Sequence, residues 1–487
     1  MTRTPIHFTP QTIAQVFGSL DAEREPIERL KAMFIKNQTY NEVTADLPLR
    51  VILGHKGTGK SAIIQMARYE EREKENLQIL IKPDDIQNLG CDNDFLTRIA
   101  QWKNGLTKII AEKVFEELEI FNDNSLDEFT RKGAKLLNLL ASSLKKVSET
   151  IDLDPIKKRY IEKYLKNHKI VVFIDDLDRG WESRSDDIKR ISALLNAVRD
   201  LSTDNQGLYF KIALRLDVFF LVRTSDESTD KILSDIVWLK WSNPEIFAML
   251  IKRIKTFYNE SCVDSHLLKT EQHYLYHELE PIIEKTFFGR GKWANTPIYK
   301  VMMSMVRKRP RDLIILCTEA AKKAADAGSS IIKTEHLQAV LELYSQERLQ
   351  DTVNEYKSEL PAIETLLMAM KPNQEQRKSG KLFNYTTNEL NSKLRNIISV
   401  NTGKLKFANG RAIDPQSLTF FLYKINFITA VKINKYGVKE RHYFDENRYL
   451  SHPDVNFGND WEVHPSFRFT LQPHNLWDTF NNIDPFI

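Results

Sequence analysis

Five short apolar runs divide the first half of the chain, and each ends at a glycine, a proline or a charge. Leu49-Arg50-Val51-Ile52-Leu53 stops at Gly54, Leu77 to Ile81 stops just before Pro83, and Lys169-Ile170-Val171-Val172-Phe173-Ile174 runs into two aspartates. Leu208 to Leu214 and Ile236 to Leu239 complete the set. Runs of this length, rich in β-branched and aromatic residues, predict buried strands. Ser61 to Glu73, Ile188 to Asp200 and a segment from Pro244 read as helices. Ser242 and Glu245 have the spacing of a capping box, with Pro244 inside the first turn. Strands alternating with helices predict an α/β domain over 49–260, its parallel sheet covered on both faces.

The rest of the chain follows other periods. Residues 1–48 read as helix and loop, with Ile27, Leu30 and Phe34 at helical spacing. A helical insertion is expected over about 93–168, on Ile109, Ile110, Val114, Phe115 and Leu118 and again on Leu136, Leu137, Leu139 and Leu140. Residues 261–355 return to helix, most clearly from Leu313 to Ala325. Residues 356–487 carry more aromatics, asparagine and glycine. There, helices over Thr386 to Ile398 and Ser417 to Ile425 precede a hairpin of Phe427 to Ile433 and Val438 to Phe444 around Tyr436-Gly437, the pattern of a winged helix.

Composition narrows the class. The 487 residues are 42% hydrophobic and 28% charged, which is ordinary for several globular domains. No run of about 18 apolar residues predicts a membrane span. Met1 to Pro10 lacks the pattern of a secretory signal. Cys91, Cys262 and Cys317 lie far apart and form no metal-spaced cluster, so they are expected as reduced thiols of a cytoplasmic chain.

The first strand feeds Gly54-His55-Lys56-Gly57-Thr58-Gly59-Lys60-Ser61, which fits GxxxxGK[ST]. The glycines let consecutive N–H groups face one anion, and the following helix, which carries Ala62, adds its positive end. Lys60 would set an ammonium against the β- and γ-phosphates of ATP, and the Ser61 hydroxyl would complete a Mg²⁺ shell. Asp175 and Asp176 end the strand at 169–174, where ligands of parallel sheets bind. Asp175 is expected to hold Mg²⁺ and Asp176 to polarise an attacking water. Arg215, after the next strand, is a candidate γ-phosphate sensor. Arg311, in Arg307-Lys308-Arg309-Pro310-Arg311-Asp312, is a candidate to report the same phosphate from the helical region. Asp178 and Arg179 pair locally or face a neighbouring subunit. His273 and His277 read as an ordinary polar helix face, and Trp461, His464 and Phe467 as a packed corner.

These strings resemble known groups. Ile174-Asp175-Asp176-Leu177-Asp178-Arg179 resembles the Walker B motif of KAP-type P-loop NTPases. Arg309-Pro310-Arg311-Asp312-Leu313 and the helices over Ala320–Ala325 and Ile332–Leu341 resemble the helical lid of ORC/Cdc6-like and STAND ATPases. Phe421–Phe427 and Asp460–Phe467 look like the tail of a family of bacterial P-loop ATPases. The resemblance implies phosphate and Mg²⁺ binding by Lys60 and Ser61, metal binding by Asp175, catalysis by Asp176 and sensing by Arg215 and Arg311. It also implies an oligomeric switch or motor, often in bacterial antiphage systems, acting on a partner effector such as a nuclease. Two departures stand out. Related ATPases with an inserted strand mostly carry glutamate where this chain has Asp176, which favours slow turnover. KAP proteins often carry membrane segments, which are not expected here. The fold expected is thus an α/β P-loop NTPase with a helical insertion, a helical lid and a C-terminal winged-helix-like domain.

Charge adds a partner class. Residues 371–441 hold fourteen basic and four acidic residues, a net +10 in a chain of net +4. Such asymmetry marks a polyanion footprint, so a DNA-binding loader or remodeller stands beside the switch, and a protein-binding domain with merely solvated charges stands beside both. A non-hydrolysing scaffold with structural nucleotide is the third reading.

Overall fold

Five parallel strands form the central sheet: β1 Leu49–Gly54, β2 Leu77–Ile81, β3 Ile170–Ile174, β4 Leu208–Arg215 and β5 Ile236–Trp238, in the order β2-β3-β4-β1-β5. The computed structural model describes residues 3–120, 169–205, 207–225, 227–433, 435, 439–447 and 459–472. The expected helical positions Leu136, Leu137, Leu139 and Leu140 and the hairpin tip Tyr436-Gly437 lie outside these residues. Each expected strand is present. All of β3 is buried, and its alternate side chains enter different cores: Ile170, Val172 and Ile174 on one face, Val171 and Phe173 on the other. A two-residue period buried on both sides is what a parallel sheet sandwiched between helices requires. β4 lies between β1 and β3, so the strand that feeds the glycine loop and the strand that ends in aspartates flank one insertion.

One face of the sheet is covered by the helix Lys60–Glu73 through Ile63, Ile64, Met66 and Ala67. Tyr40 and Val43, from the helix Gln38–Thr44, join that core. The N-terminal segment therefore packs into the body of the molecule. Its first helix, Pro10–Phe17, puts Ile13, Val16 and Phe17 into the core of the helical lid instead. The other face of the sheet packs on Ser185–Asp204 and on Phe95–Ile120, the described part of the insertion.

The lid is built on Pro310–Asp326 and Thr334–Tyr356, and Asn243–Phe257, expected as the last helix of the α/β domain, shares their core rather than that of the sheet. Ser242 and Glu245 make the capping box expected from their spacing. A small antiparallel pair, β6 Thr286–Phe287 and β7 Thr296–Pro297, interrupts the helices. Strands of two residues are too short to leave a periodic signal, so the helical reading passed over them.

The C-terminal part is α+β. β8 Asn384–Thr386, the helices Thr387–Val400 and Pro415–Lys424, β9 Ile428–Ile433 and β10 Lys439–His442 follow in order. The expected β9–β10 hairpin is antiparallel, with Lys439 opposite Ile433. A further strand, β11 Asp460–Val463, lies between β9 and β8 in a four-stranded sheet, where the sequence suggested only a packed corner. His464, just after it, is buried and meets Tyr443 Oη at 3.0 Å. The helix Pro415–Lys424 is buried along nearly its whole length, Leu418, Phe421 and Leu422 belonging to the core that continues into the central sheet. No helix among the described residues is long and apolar enough to cross a membrane.

Candidate functional site

Backbone geometry builds the loop after β1. Gly57 and Gly59 have φ of +83° and +96°, a region open mainly to glycine, and Gly59 caps the following helix in the left-handed conformation. A side chain at Gly57 would come within 3.2 Å of Arg311 Cβ, so the loop is closed from above by the lid. Arg311 N–H donates to the Gly57 carbonyl at 3.3 Å. Trp241 Nε1 donates to the Thr58 carbonyl at 2.8 Å and fixes the far side of the turn.

Lys60, Ser61 and Asp175 come together beneath this loop. The Lys60 ammonium donates to the Gly54 and His55 carbonyl oxygens at 2.9 and 3.0 Å. Burial pulls its pKa below the ordinary lysine value, while Asp178, Glu355 and Asp175 oppose the shift. Burial pushes the Asp175 carboxyl up, against the hydrogen bond from the Asp176 N–H at 2.9 Å and the nearby Ser61 hydroxyl and Lys60 ammonium. A buried carboxylate held above its ordinary range, on the same cavity as a serine hydroxyl, gains from a nearby cation, so this pair fits Mg²⁺. Asp176 has φ +63° and a side chain 58% exposed, beside the same cavity. Aspartate is among the few side chains that tolerate this conformation.

The loop residues divide by direction. Lys56, Gly57, Gly59, Lys60, Ser61 and Ala62 line a cavity of about 1050 Å³. The side chains of His55 and Thr58 turn inward and are buried, so these two offer backbone only to a phosphate, and Gly54 lies beneath them.

Arg215 pairs in register with Gly54 across β4 and β1. Its guanidinium is already engaged: Asp217 takes two bonds at 3.0 and 2.7 Å, Asp178 one at 3.2 Å and the Glu355 carbonyl one at 2.6 Å. Burial would lower its pKa, but Asp217, Glu355 and Asp178 outweigh it and hold the charge. Asp178 thus pairs locally. Arg179 is exposed, with Asp84 at 3.8 Å and Asp176 at 4.0 Å.

Glu355 is a site residue that the sequence reading missed. It lies 300 residues from the loop, at the end of a helix whose composition is unremarkable. Its carboxylate accepts the Lys56 N–H at 3.1 Å and Arg309 Nη1 at 2.9 Å, and Arg309 also reaches the Lys56 carbonyl at 3.3 Å. Burial alone would raise the carboxyl; Arg309, Arg215 and His55 hold it well below the usual range. The N-terminal segment was missed too. Leu30, Phe34 and Ile35 line the cavity, as do Met249 and Ile314 of the lid core.

Among the described residues of the basic region, several cations are engaged within the chain, Lys381 with Glu389 at 3.4 Å among them. Lys424 pairs with Glu359 at 2.6 Å, and both Lys439 and Arg441 pair with the fully buried Glu462. Arg377, Lys378, Lys381, Arg395, Lys404 and Lys406 are exposed.

Comparison with known proteins gives partial matches. Residues 244–353, largely the lid, match the FunZ-associated C-terminal helical domain. The putative transposon gamma-delta 80.3 kDa protein of Escherichia coli (strain K12) is 21% identical over 390 residues, 73% of this chain and 53% of that protein. The chain thus spans about half the length of the curated relative it matches. Among solved structures, the Aeropyrum pernix ORC2 protein is similar at 12% identity, covering 94% of this chain and 92% of its own, with a TM-score of 0.40. The Walker-type ATPase paby2304 of Pyrococcus abyssi is similar at 13% identity, covering 89% and 96%, with a TM-score of 0.38. The RuvB Holliday junction branch migration motor of Thermotoga maritima is similar at 10% identity, covering 87% and 96%, with a TM-score of 0.32. The strand order and the glycine loop of this chain are those of an α/β P-loop domain.

Proposed function

We propose that the chain is an ATP- and Mg²⁺-dependent P-loop ATPase that works as a slow switch, with assembly into oligomers and control of an effector partner carried over from the sequence resemblance. The observation that carries the reading is that Lys60, Ser61 and Asp175 line one cavity at the glycine loop, the Lys60 ammonium lying on the Gly54 and His55 carbonyl oxygens. Ser61 and Asp175 would hold the metal, which supplies positive charge to offset that of the phosphates. Lys60 binds the phosphates, and the apolar side chains Leu30, Phe34, Ile35, Met249 and Ile314 in the lining of the same cavity would pack on a planar base. Asp176 orients water from an exposed position, and its short side chain accounts for slow turnover. Arg311, packed on Gly57, reports the phosphate to the lid, and Arg215 does so only after yielding some of its present carboxylate bonds.

The test uses three variants and two readouts, fluorescent-nucleotide titration and phosphate release. Lys60→Ala is expected to abolish measurable binding. Asp176→Asn, which tolerates the same backbone conformation, is expected to keep affinity within about threefold while turnover falls by about 10²-fold or more. Asp175→Ala is expected to remove the Mg²⁺ dependence of binding. Equal turnover in Asp176→Asn and wild type would remove Asp176 from the mechanism. Binding undiminished in Lys60→Ala would remove the phosphate site.

The exposed cations of the C-terminal part favour a second reading, a polyanion partner. A winged helix usually sets its second helix of the pair in the major groove. Here that helix, Pro415–Lys424, is buried, so contact would fall to Arg377, Lys378, Arg395 and Lys404 and go to phosphates rather than bases. Duplex DNA affinity that falls steeply with salt and is indifferent to sequence is the expected result. No binding at low salt would end this reading.

A further inference from the structure

The motif GxxxxGK[ST] leaves four positions whose side chains phosphate does not need, because the anion is held by backbone N–H groups. One of them, His55, is put to a different use. Its side chain is only 2% exposed, and all its polar contacts lead away from the cavity. Nδ1 lies 2.8 Å from Tyr356 Oη, at the end of the last lid helix. Nε2 lies 3.2 Å from Asp445 Oδ1 and 3.5 Å from Asn426 Nδ2, both in the C-terminal domain. The ring thus bridges the tyrosine hydroxyl and the aspartate carboxylate, one nitrogen to each.

The main chain of the same residue belongs to the phosphate loop. The His55 carbonyl accepts from the Lys60 ammonium at 3.0 Å and from the Thr58 hydroxyl at 2.8 Å. A phosphate that draws the Lys60 ammonium competes directly with this carbonyl. One residue is therefore tied at its backbone to the group that binds phosphate and at its ring to another domain. The neighbouring Lys56 N–H is held by Glu355, so two consecutive loop residues are gripped by two consecutive residues of one helix.

The far partners sit at junctions. Asn426 has φ +57° in the turn between Pro415–Lys424 and β9, a conformation asparagine adopts more readily than most side chains. Asp445 lies between Phe444, whose ring meets Phe220 edge-on at 5.5 Å, and Glu446, which pairs with Lys308 of the lid. A displacement of the His55 ring would thus bear on the contacts of the C-terminal domain with both the sheet domain and the lid.

We propose that His55 is a positioning residue that couples phosphate binding at the loop to the seating of the C-terminal domain. The proposal rests on the nucleotide-binding reading above. Coupling of this kind needs an element that both sites bias, and the Tyr356–His55–Asp445 chain is that element.

Hydrogen exchange on the full chain tests it, with and without a non-hydrolysable ATP analogue and Mg²⁺. Nucleotide binding is measured separately by fluorescent-nucleotide titration. In wild type the analogue is expected to change exchange in peptides covering 421–433 and 443–447 by about threefold or more. Neither Asp445 nor Tyr356 lines the cavity, and Asp445→Ala and Tyr356→Phe are expected to bind the analogue within about threefold of wild type while losing that change. Asp445→Asn, which keeps an acceptor of the same shape, is expected to recover most of it. A merely structural role would lower protection equally with and without nucleotide and leave the difference intact. Variants that bind nucleotide and keep the wild-type difference overturn the proposal, and so does a wild type that binds nucleotide but shows no change in these peptides. A wild type that binds no analogue overturns the nucleotide-binding reading and this proposal with it; the titration separates that outcome from the others.

Discussion

Glu355 shows how much a single buried charge can organise. Its carboxylate is met by Arg309, by the Lys56 N–H and by the field of Arg215, so lid, loop and sheet converge on one group. Replacing it with glutamine keeps the shape but leaves Arg309 buried without its counter-charge. Breaking one side of such a pair costs about 3–5 kcal/mol. Glu355→Gln is therefore expected to lower the urea midpoint clearly and to loosen the lid around the loop. A loss under about 1 kcal/mol would mean that Arg309 finds another partner. Nothing local in the sequence marks Glu355, because its partners lie 46, 140 and 299 residues away and its helix looks like any other. Lys60, Ser61 and Asp175 were legible for the opposite reason: a phosphate loop is eight consecutive residues, and an aspartate at the end of an apolar strand is read from its neighbours.

Among the elements, the loop and the first turn of Pro310–Asp326 are fitted to each other. Gly57 holds φ +83° and faces Arg311 Cβ, so alanine there meets both a disfavoured backbone and a tight neighbour. The backbone term alone is about 1–2 kcal/mol. Gly57→Ala is expected to weaken nucleotide binding about tenfold or more and to raise hydrogen exchange in 310–316. An unchanged affinity would show that the lid yields at no cost. The sequence pattern placed the central strands and the main helices, since burial on both faces or on one stripe imposes a period on the residues themselves. It placed β6, β7, β8 and β11 nowhere: β6 and β7 have two residues each, and Asn384–Thr386 and Asp460–Val463 lack the apolar run that marked the comparably short β5. It also gave no warning that Pro415–Lys424 is covered, as an apolar helix reads alike whether it faces its own domain or a neighbouring one.

Across the whole molecule, buried carboxylates hold the parts together. Asp312 pairs with Arg307 and Arg348 in the lid, Glu355 links lid to loop, and Glu462 gathers Lys439, Arg441 and Arg468 in the C-terminal sheet. Burial opposes ionisation in all three, yet the surrounding cations hold each below its ordinary value. A carboxylate whose pKa is lower folded than unfolded contributes stability above the unfolded value and loses it as the pH falls towards the folded one. The melting temperature is therefore expected to change little from pH 7 to about pH 5 and to drop steeply below about pH 4, where unfolded carboxylates take up protons. An unchanged melting temperature at pH 3 would show that these pairs contribute little.

The sequence alone determined the local chemistry: a glycine loop that fixes backbone direction, a lysine and a serine behind it, an aspartate at a strand end, and the alternation that makes the sheet. These are short-range consequences of φ, ψ and side-chain period. Only the tertiary structure decided where His55, Arg215 and Arg309 point, which of the C-terminal cations are neutralised by Glu359 and Glu462, and that the N-terminal segment walls the cavity. Each of those depends on groups far apart in the chain, whose meeting is set by packing and by the cost of leaving a buried charge unpaired rather than by any neighbouring residue.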